Sequence, residues 1–201
     1  MDARIAVLVS GSGTNLQALL DDPFTGPRIA LVVSDRPGVR ALDRAAERGV
    51  ESQVISTRDH PDREAFSAAV RDELLGRDID IVVSAGYMKV LGATFFDAFA
   101  GRFLNVHPAL LPAFPGAHAV ADALEWGAKA TGVTVHLVDE QVDHGPIVFQ
   151  EAVAIRDDDD WDSLEARIHE VEHRLLPAAV RALVEGRLKV EGRRVHVLGD
   201  E

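Results

Sequence analysis

Short apolar, β-branched runs alternate with longer amphipathic stretches along the chain, and this alternation limits the fold more than any other feature. Residues 5–9, 29–33, 53–55, 79–83, 103–106, 133–138 and 147–154 read as strands, each a compact run rich in Val, Ile and Leu. Residues 14–20, 39–48, 62–75 and 161–185 read as helices from their apolar stripes. A strand followed by a helix, repeated four times, predicts an α/β fold: a doubly wound, mostly parallel, Rossmann-like sheet with right-handed crossovers. The pattern then breaks twice. Residues 108–116 contain Pro108, Pro112 and Pro115, which exclude regular helix or central strand. The last two long runs are separated only by residues 139–146, so they are expected to pair antiparallel. At 201 residues the whole chain, 1–201, suits one domain.

Ligands of such sheets sit beyond the carboxyl ends of the strands, which directs attention to the loops after Val9, Val83 and Val106. The first of these is Ser10-Gly11-Ser12-Gly13-Thr14-Asn15-Leu16. Glycines let the backbone turn sharply and approach a ligand, and a helix start offers uncommitted amides to an anion. The dinucleotide fingerprint wants glycine where Leu16 stands, and the Walker sequence wants Gly-Lys-Ser/Thr. The loop therefore reads as a cradle for a single phosphate. On the residues alone, a tight turn with a polar cap reads equally well.

After Phe103-Leu104, the segment Asn105-Val106-His107-Pro108 ends a buried run with two polar groups two residues apart, which strand alternation sends to the same side. An amide donor beside an imidazole is what an acyl-transfer intermediate requires: a fixed donor for the oxyanion and a group that titrates near neutrality. A satisfied histidine at a strand end is the competing reading. Asp143, in the polar loop Asp139-Glu140-Gln141-Val142-Asp143-His144-Gly145-Pro146, is placed to raise the pKa of a nearby imidazole and orient it, although an acidic hairpin loop explains it as well. His136, within a strand, reads as structural or cleft-lining.

Two classes of chemistry are set aside. His169-Glu170-Val171-Glu172-His173 spells the zinc-protease pattern, but no third ligand motif follows, and Leu164, Ile168, Val171, Leu175 and Ala179 place the segment on an amphipathic helix, so no metal is expected. The chain has no cysteine, which excludes thiol chemistry and disulfides. A net charge of −12 argues against broad nucleic-acid binding. No apolar stretch approaches a membrane span and no signal-peptide pattern precedes Ile5, so the expected location is the cytoplasm.

Taken together, five segments resemble the phosphoribosylglycinamide formyltransferases, folate-dependent enzymes of purine biosynthesis. They are residues 10–16, Gly86-Tyr87-Met88-Lys89-Val90-Leu91, residues 105–112, Gly132-Val133-Thr134-Val135-His136, and Val142-Asp143-His144-Gly145-Pro146. Their order and spacing extend the likeness over nearly the whole chain. The resemblance implies that 10-formyltetrahydrofolate, as cosubstrate, gives its formyl group to the amine of glycinamide ribonucleotide, without a metal. On that implication Asn105 and protonated His107 stabilise the oxyanion, while Asp143 raises the His107 pKa and helps relay a proton. Gly13, Thr14 and Asn15 match the positions that hold the ribonucleotide phosphate, and Glu172 matches a contact to the glycinamide end. Arg63, Met88, Lys89, Val90, Leu91, Asn105 and the run Asp139, Glu140, Gln141, Val142 and Asp143 match the folate side. The partners implied are these two small molecules, with neither nucleic acid nor membrane, and a homodimer is left open. Lys89 stands where the family often has arginine, and His144 where it commonly has glycine.

Three relatives compete. Methionyl-tRNA formyltransferase carries a further C-terminal domain and lacks the phosphate cradle. Formyltetrahydrofolate hydrolase carries an N-terminal regulatory domain, for which this length leaves no room. Sugar N-formyltransferases look less like the Gly13-Thr14-Asn15 loop. A non-catalytic phosphosugar-binding module is the alternative of a different class, and the intact Asn105, His107 and Asp143 speak against it.

Overall fold

A computed structural model describes residues 3–199. Contacts divide the chain into two units, Met1–Leu104 and Asn105–Glu201. The first holds β1 (Ile5–Val9), α1 (Thr14–Asp21), β2 (Ile29–Ser34), α2 (Arg40–Glu47), β3 (Ser52–Val54), α3 (Arg63–Leu75), β4 (Ile81–Ser84) and α4 (Ala93–Phe99). Its strands lie in the order β3-β2-β1-β4, and every pair is parallel. Parallel neighbours need crossovers, and the helices between the strands supply them. β1 lies inside this set and is buried along its whole length, which explains its unbroken apolar run. The chain adds β2 and β3 on one side of β1, then returns to place β4 on the other. In sheets of this kind such a reversal marks where ligands bind, beyond the carboxyl ends of β1 and β4.

β5 (Phe103–His107) leads from the first unit into the second, which holds α5 (Ala119–Glu125), β6 (Ala130–Leu137), β7 (Ile147–Ala154), α6 (Trp161–Val184), β8 (Leu188–Glu191) and β9 (Arg194–Val197). β6 and β7 pair antiparallel, as their short connection requires. β9 joins β7 in parallel and forms an antiparallel hairpin with β8. α6 starts at a capping box, in which Asp160 accepts from the Ser163 amide and Ser163 returns a bond to the Asp160 amide. Its buried stripe of Leu164, Ile168, Leu175, Leu176, Ala179 and Val180 packs against β6 and β7, and each large side chain there contributes roughly 1.5–3 kcal/mol by burial. Among the described residues no helix is long and apolar enough to cross a membrane.

Several boundaries differ from the sequence reading. Ile79 precedes β4, Ile55 follows β3, and β6 starts earlier, at Ala130. The helices α4 and α5 and the hairpin β8–β9 were not foreseen.

Candidate active site

In the first unit, polar residues gather where β1, β2 and β4 end. β1 runs straight into Ser10, whose hydroxyl accepts from the Met88 amide at 2.9 Å, tying the loop after β1 to the loop after β4. The glycine loop rests on α2: the Ala41 amide donates to the Gly11 carbonyl at 3.1 Å, and the Arg44 guanidinium to the Ser12 carbonyl at 2.9 Å. Gly13 caps α1 at φ 73 without a side-chain bond, so no side chain occupies the cap of the first turn. A Cβ on Gly13 would stand 2.7 Å from the Ala41 Cβ, so position 13 is restricted by both conformation and space. Gly13→Ala is expected to destabilise the protein by about 1–3 kcal/mol, read as a fall of several degrees in the thermal midpoint. An unchanged midpoint would show that α2 gives way freely.

The Met88–Leu91 segment is held at both ends, by Ser10 at Met88 and by the Ser67 hydroxyl, which accepts from the Gly92 amide at 2.8 Å. Between these anchors Leu91 is buried, while Met88 and Val90 expose their side chains. The Lys89 ammonium lies 3.5 Å from the buried Asp35 carboxylate at the end of β2. Burial, followed by the charge of Asp35, pushes the Tyr87 hydroxyl well above the usual phenol range. Arg63 opens α3 with an exposed side chain, and its neighbour Glu64 accepts from the Ala93 and Thr94 amides at the start of α4.

In the second unit, three predicted residues come together. Asn105 and His107 leave β5 on the same side, as alternation requires, and both meet Asp143. The Asn105 amide nitrogen is 3.4 Å from Asp143 Oδ1, and His107 Nδ1 is 3.4 Å from Oδ2. The far side of the imidazole is fixed by Nε2, which donates to the Phe114 carbonyl at 2.8 Å. His107 retains 5% and Asp143 10% of side-chain exposure, so these contacts form in a partly dehydrated setting where electrostatics are strong. Asp143 stands at φ 50, a strained conformation that its hydrogen bonds over-determine. The Gly116 amide donates to its Oδ2 at 2.7 Å.

Burial works to raise the Asp143 carboxyl, but the His136 ring, the Gly116 amide and the charge of His107 outweigh it and hold the carboxyl below the ordinary carboxylate range. A carboxyl lowered on folding contributes stability that is complete above the ordinary carboxylate pKa. That contribution is lost as pH falls through the folded value, so Asp143 is ionised throughout the neutral range.

His136, read from the sequence as structural or cleft-lining, is buried beside these residues. Its Nδ1–H donates to the Leu137 carbonyl at 2.9 Å, and Nε2 lies 3.2 Å from the Asn105 amide nitrogen and 3.8 Å from Asp143 Oδ1. Gly132, Thr134 and His136 alternate along β6, and this was the available signal. A Cβ on Gly132 would strike the Glu151 carbonyl and Leu110, and the Thr134 hydroxyl binds the Leu111 amide and the Ala109 carbonyl. One face of β6 therefore seats the proline-rich segment that follows His107.

Asp139 shares a bond between its Oδ2 and His144 Nδ1 at 2.8 Å, while Glu140, Gln141 and Val142 are exposed. Glu172 is buried on α6, with His169 Nε2 at 3.8 Å. His169 and His173 stack with ring centroids 5.7 Å apart, and among the described residues no group of three or more His, Asp or Glu side chains is arranged to hold a metal ion.

The sequence profile described as formyl transferase matches residues 3–180. The chain is 47% identical over 203 residues to the phosphoribosylglycinamide formyltransferase of Mycobacterium tuberculosis, covering 97% of this chain and 94% of that protein. It is also 47% identical over 188 residues to the trifunctional purine biosynthetic protein adenosine-3 of Drosophila melanogaster, and there 91% of this chain spans only 14% of the longer protein. Among solved structures, glycinamide ribonucleotide transformylase 1 from Symbiobacterium toebii superposes with a TM-score of 0.95 at 46% identity, covering 98% of this chain and 94% of that one. The phosphoribosylglycinamide formyltransferase of Anaplasma phagocytophilum gives 0.91 at 32% identity, covering 100% and 97%. The α/β fold with a mostly parallel sheet is shared with them.

Proposed function

The chain belongs to the formyl transferase family, and on that basis we propose which of its residues carry the family's chemistry. The reaction transfers a formyl group from a formyl-tetrahydrofolate to the amine of N1-(5-phospho-D-ribosyl)glycinamide in purine biosynthesis. We take the donor to be 10-formyltetrahydrofolate and residues 1–201 to act as one formyltransferase domain. A location in the cytoplasm, with no nucleic-acid partner, belongs to the same reading, and the net charge of −12 favours the latter.

One observation carries the assignment of the catalytic residues: the Asn105 amide and the His107 imidazole converge on opposite oxygens of a single carboxylate. Two donors aimed at an anionic group are what an oxyanion needs when an amine adds to a carbonyl carbon. Both contacts are long, at 3.4 Å, so either donor can shorten a bond to a developing oxyanion without breaking a strong one. With Nε2–H given to Phe114, a proton on Nδ1 makes the ring cationic, and Asp143 beside it balances that charge. Asp143 is then the acceptor through which the proton lost by the attacking amine passes.

Gly13, Thr14 and Asn15 hold the phosphate by backbone amides at the start of α1, and Glu172 meets the glycinamide end. Arg63, Met88, Lys89, Val90, Leu91 and residues 139–143 serve the folate. The exposed Met88 and Val90, on a segment fixed at both ends, offer apolar surface suited to a flat ring.

Mixing the protein with the ribonucleotide and 10-formyltetrahydrofolate is expected to release tetrahydrofolate only when both are present, and a chelator is expected not to change the rate. Release without the ribonucleotide would identify a hydrolase instead. Binding of the ribonucleotide with no turnover would leave a phosphosugar-binding module.

A further inference from the structure

The hairpin β8–β9 lies beyond residue 180, where the family match ends, yet it reaches the loop that carries Asp143. Strand register explains how. β9 meets β7 with Arg194 opposite Ile147, in parallel, so the residue before Arg194 lies beside the residues that lead into β7. That residue is Arg193. Its Nη2 donates to the His144 carbonyl at 2.6 Å, and its Nη1 to His144 Nε2 at 3.1 Å. The same imidazole donates from Nδ1 to Asp139 Oδ2 at 2.8 Å, and Asp139 Oδ1 accepts from the Gln141 amide at 3.0 Å. One guanidinium thus grips both the backbone and the ring of the residue after Asp143, and that ring closes the loop onto its own first residue.

The loop needs such a restraint. Asp143 is held at φ 50, a conformation that a non-glycine residue keeps only when its surroundings impose it. Behind it, Gly145 packs so closely on the Leu137 carbonyl that any Cβ would collide. Exposed polar pairs taken singly contribute little. Here the donors sit in one planar, pre-organised fork and act on one residue, which favours defined geometry over mere attraction. The arrangement also gives a reason for histidine at 144, because glycine would keep the carbonyl contact and lose the ring contacts to Arg193 and Asp139.

We propose that Arg193 is a positioning residue for the transfer reaction, clamping His144 so that the adjacent Asp143 is presented to Asn105 and His107. The inference rests on the role given to Asp143 above. When the clamp is released the loop loosens, Asp143 loses part of its contact with Gly116, His136 and His107, and its carboxyl moves back toward the ordinary range.

The test uses the full-length protein with Arg193→Gln, His144→Ala and, as a control on the same hairpin, Arg194→Gln. Hydrogen exchange of the 139–146 amides is expected to accelerate in the first two and to stay at the wild-type rate in the third. The kcat of Arg193→Gln is expected to fall about tenfold, the scale of a sub-ångström misplacement, with the KM for the ribonucleotide within about twofold of wild type. The acid limb of its rate profile is expected to move to higher pH. His144→Ala, which keeps the backbone contact, is expected to fall between Arg193→Gln and wild type. Unchanged loop exchange, or faster exchange with an unchanged kcat and acid limb, would overturn the proposal. Failure of the underlying reading shows elsewhere, as a wild-type protein without turnover or an Asp143→Asn variant at full rate.

Discussion

Replacing His107 with alanine is expected to lower kcat by about three orders of magnitude while the protein still folds. Removal of an oxyanion donor alone costs 10²–10³ in rate in comparable chemistry, and loss of a positioned proton carrier costs a similar factor. The two overlap in one side chain, so roughly 10³ is the sum to expect, not the product. The imidazole is nearly enclosed, and its removal leaves the Phe114 carbonyl without its donor and Asp143 without one of its partners. A stability loss of about 1–3 kcal/mol accompanies the change, so His107→Gln, which keeps a polar group and more of the volume, serves as companion. Steady-state kinetics with both substrates saturating, beside a thermal melt, separates the effects. A kcat within tenfold of wild type in a folded variant would remove His107 from the chemistry.

Asp143→Asn is expected to lower kcat by about 10²–10⁴ with only the modest loss of stability that follows from removing a favourably placed charge, and this contrast is what makes the substitution informative. Asparagine has the same shape and visits positive φ more readily than other residues, so the strained backbone at φ 50 is not disturbed. Its side-chain oxygen still accepts from the Gly116 amide, which preserves the turn before α5. Only the charge facing the His107 and His136 rings disappears. In the wild type the carboxyl lies below the ordinary carboxylate range, so activity is expected to persist on the acid side until the pH has fallen past that range and Asp143 takes up its proton. The asparagine variant has no such group, and its residual rate is expected to lack that limb. A limb of the same position in the variant would assign it to another residue.

How much was readable in advance follows from which interactions are local. β1 and β2 were legible because strands buried on both faces leave nearly unbroken aliphatic runs, and the α6 stripe repeats over enough turns to declare its period. α4 and α5, at seven residues each, complete barely two turns, too few for a period to emerge from their neighbours. The strands of the hairpin β8–β9 do alternate apolar and polar residues, but at four residues each, with most side chains exposed, the alternation is too short to stand out. At the site, Asn105 and His107 could be paired because strand alternation is local geometry. Their meeting with Asp143, 36 residues beyond His107, is a tertiary fact that only the family resemblance anticipated. The contact of His136 with Asn105 and Asp143 was hidden for the same reason. An isolated histidine in a strand carries no sign of which side chain will face it. The engagement of His144 by Arg193 was invisible for a further reason: Arg193 belongs to no motif, and the register of β9 against β7 creates the contact.

The seat of Gly13 on Ala41 has a wider meaning. The contour of the loop meant for a phosphate is moulded from beneath by a helix that carries no chemistry, since α2 supplies both the methyl group under Gly13 and the guanidinium on the Ser12 carbonyl. The packing of α2 therefore sets the shape of the loop proposed to take the phosphate, and any added bulk at residue 41 is passed on to that loop as a change of contour.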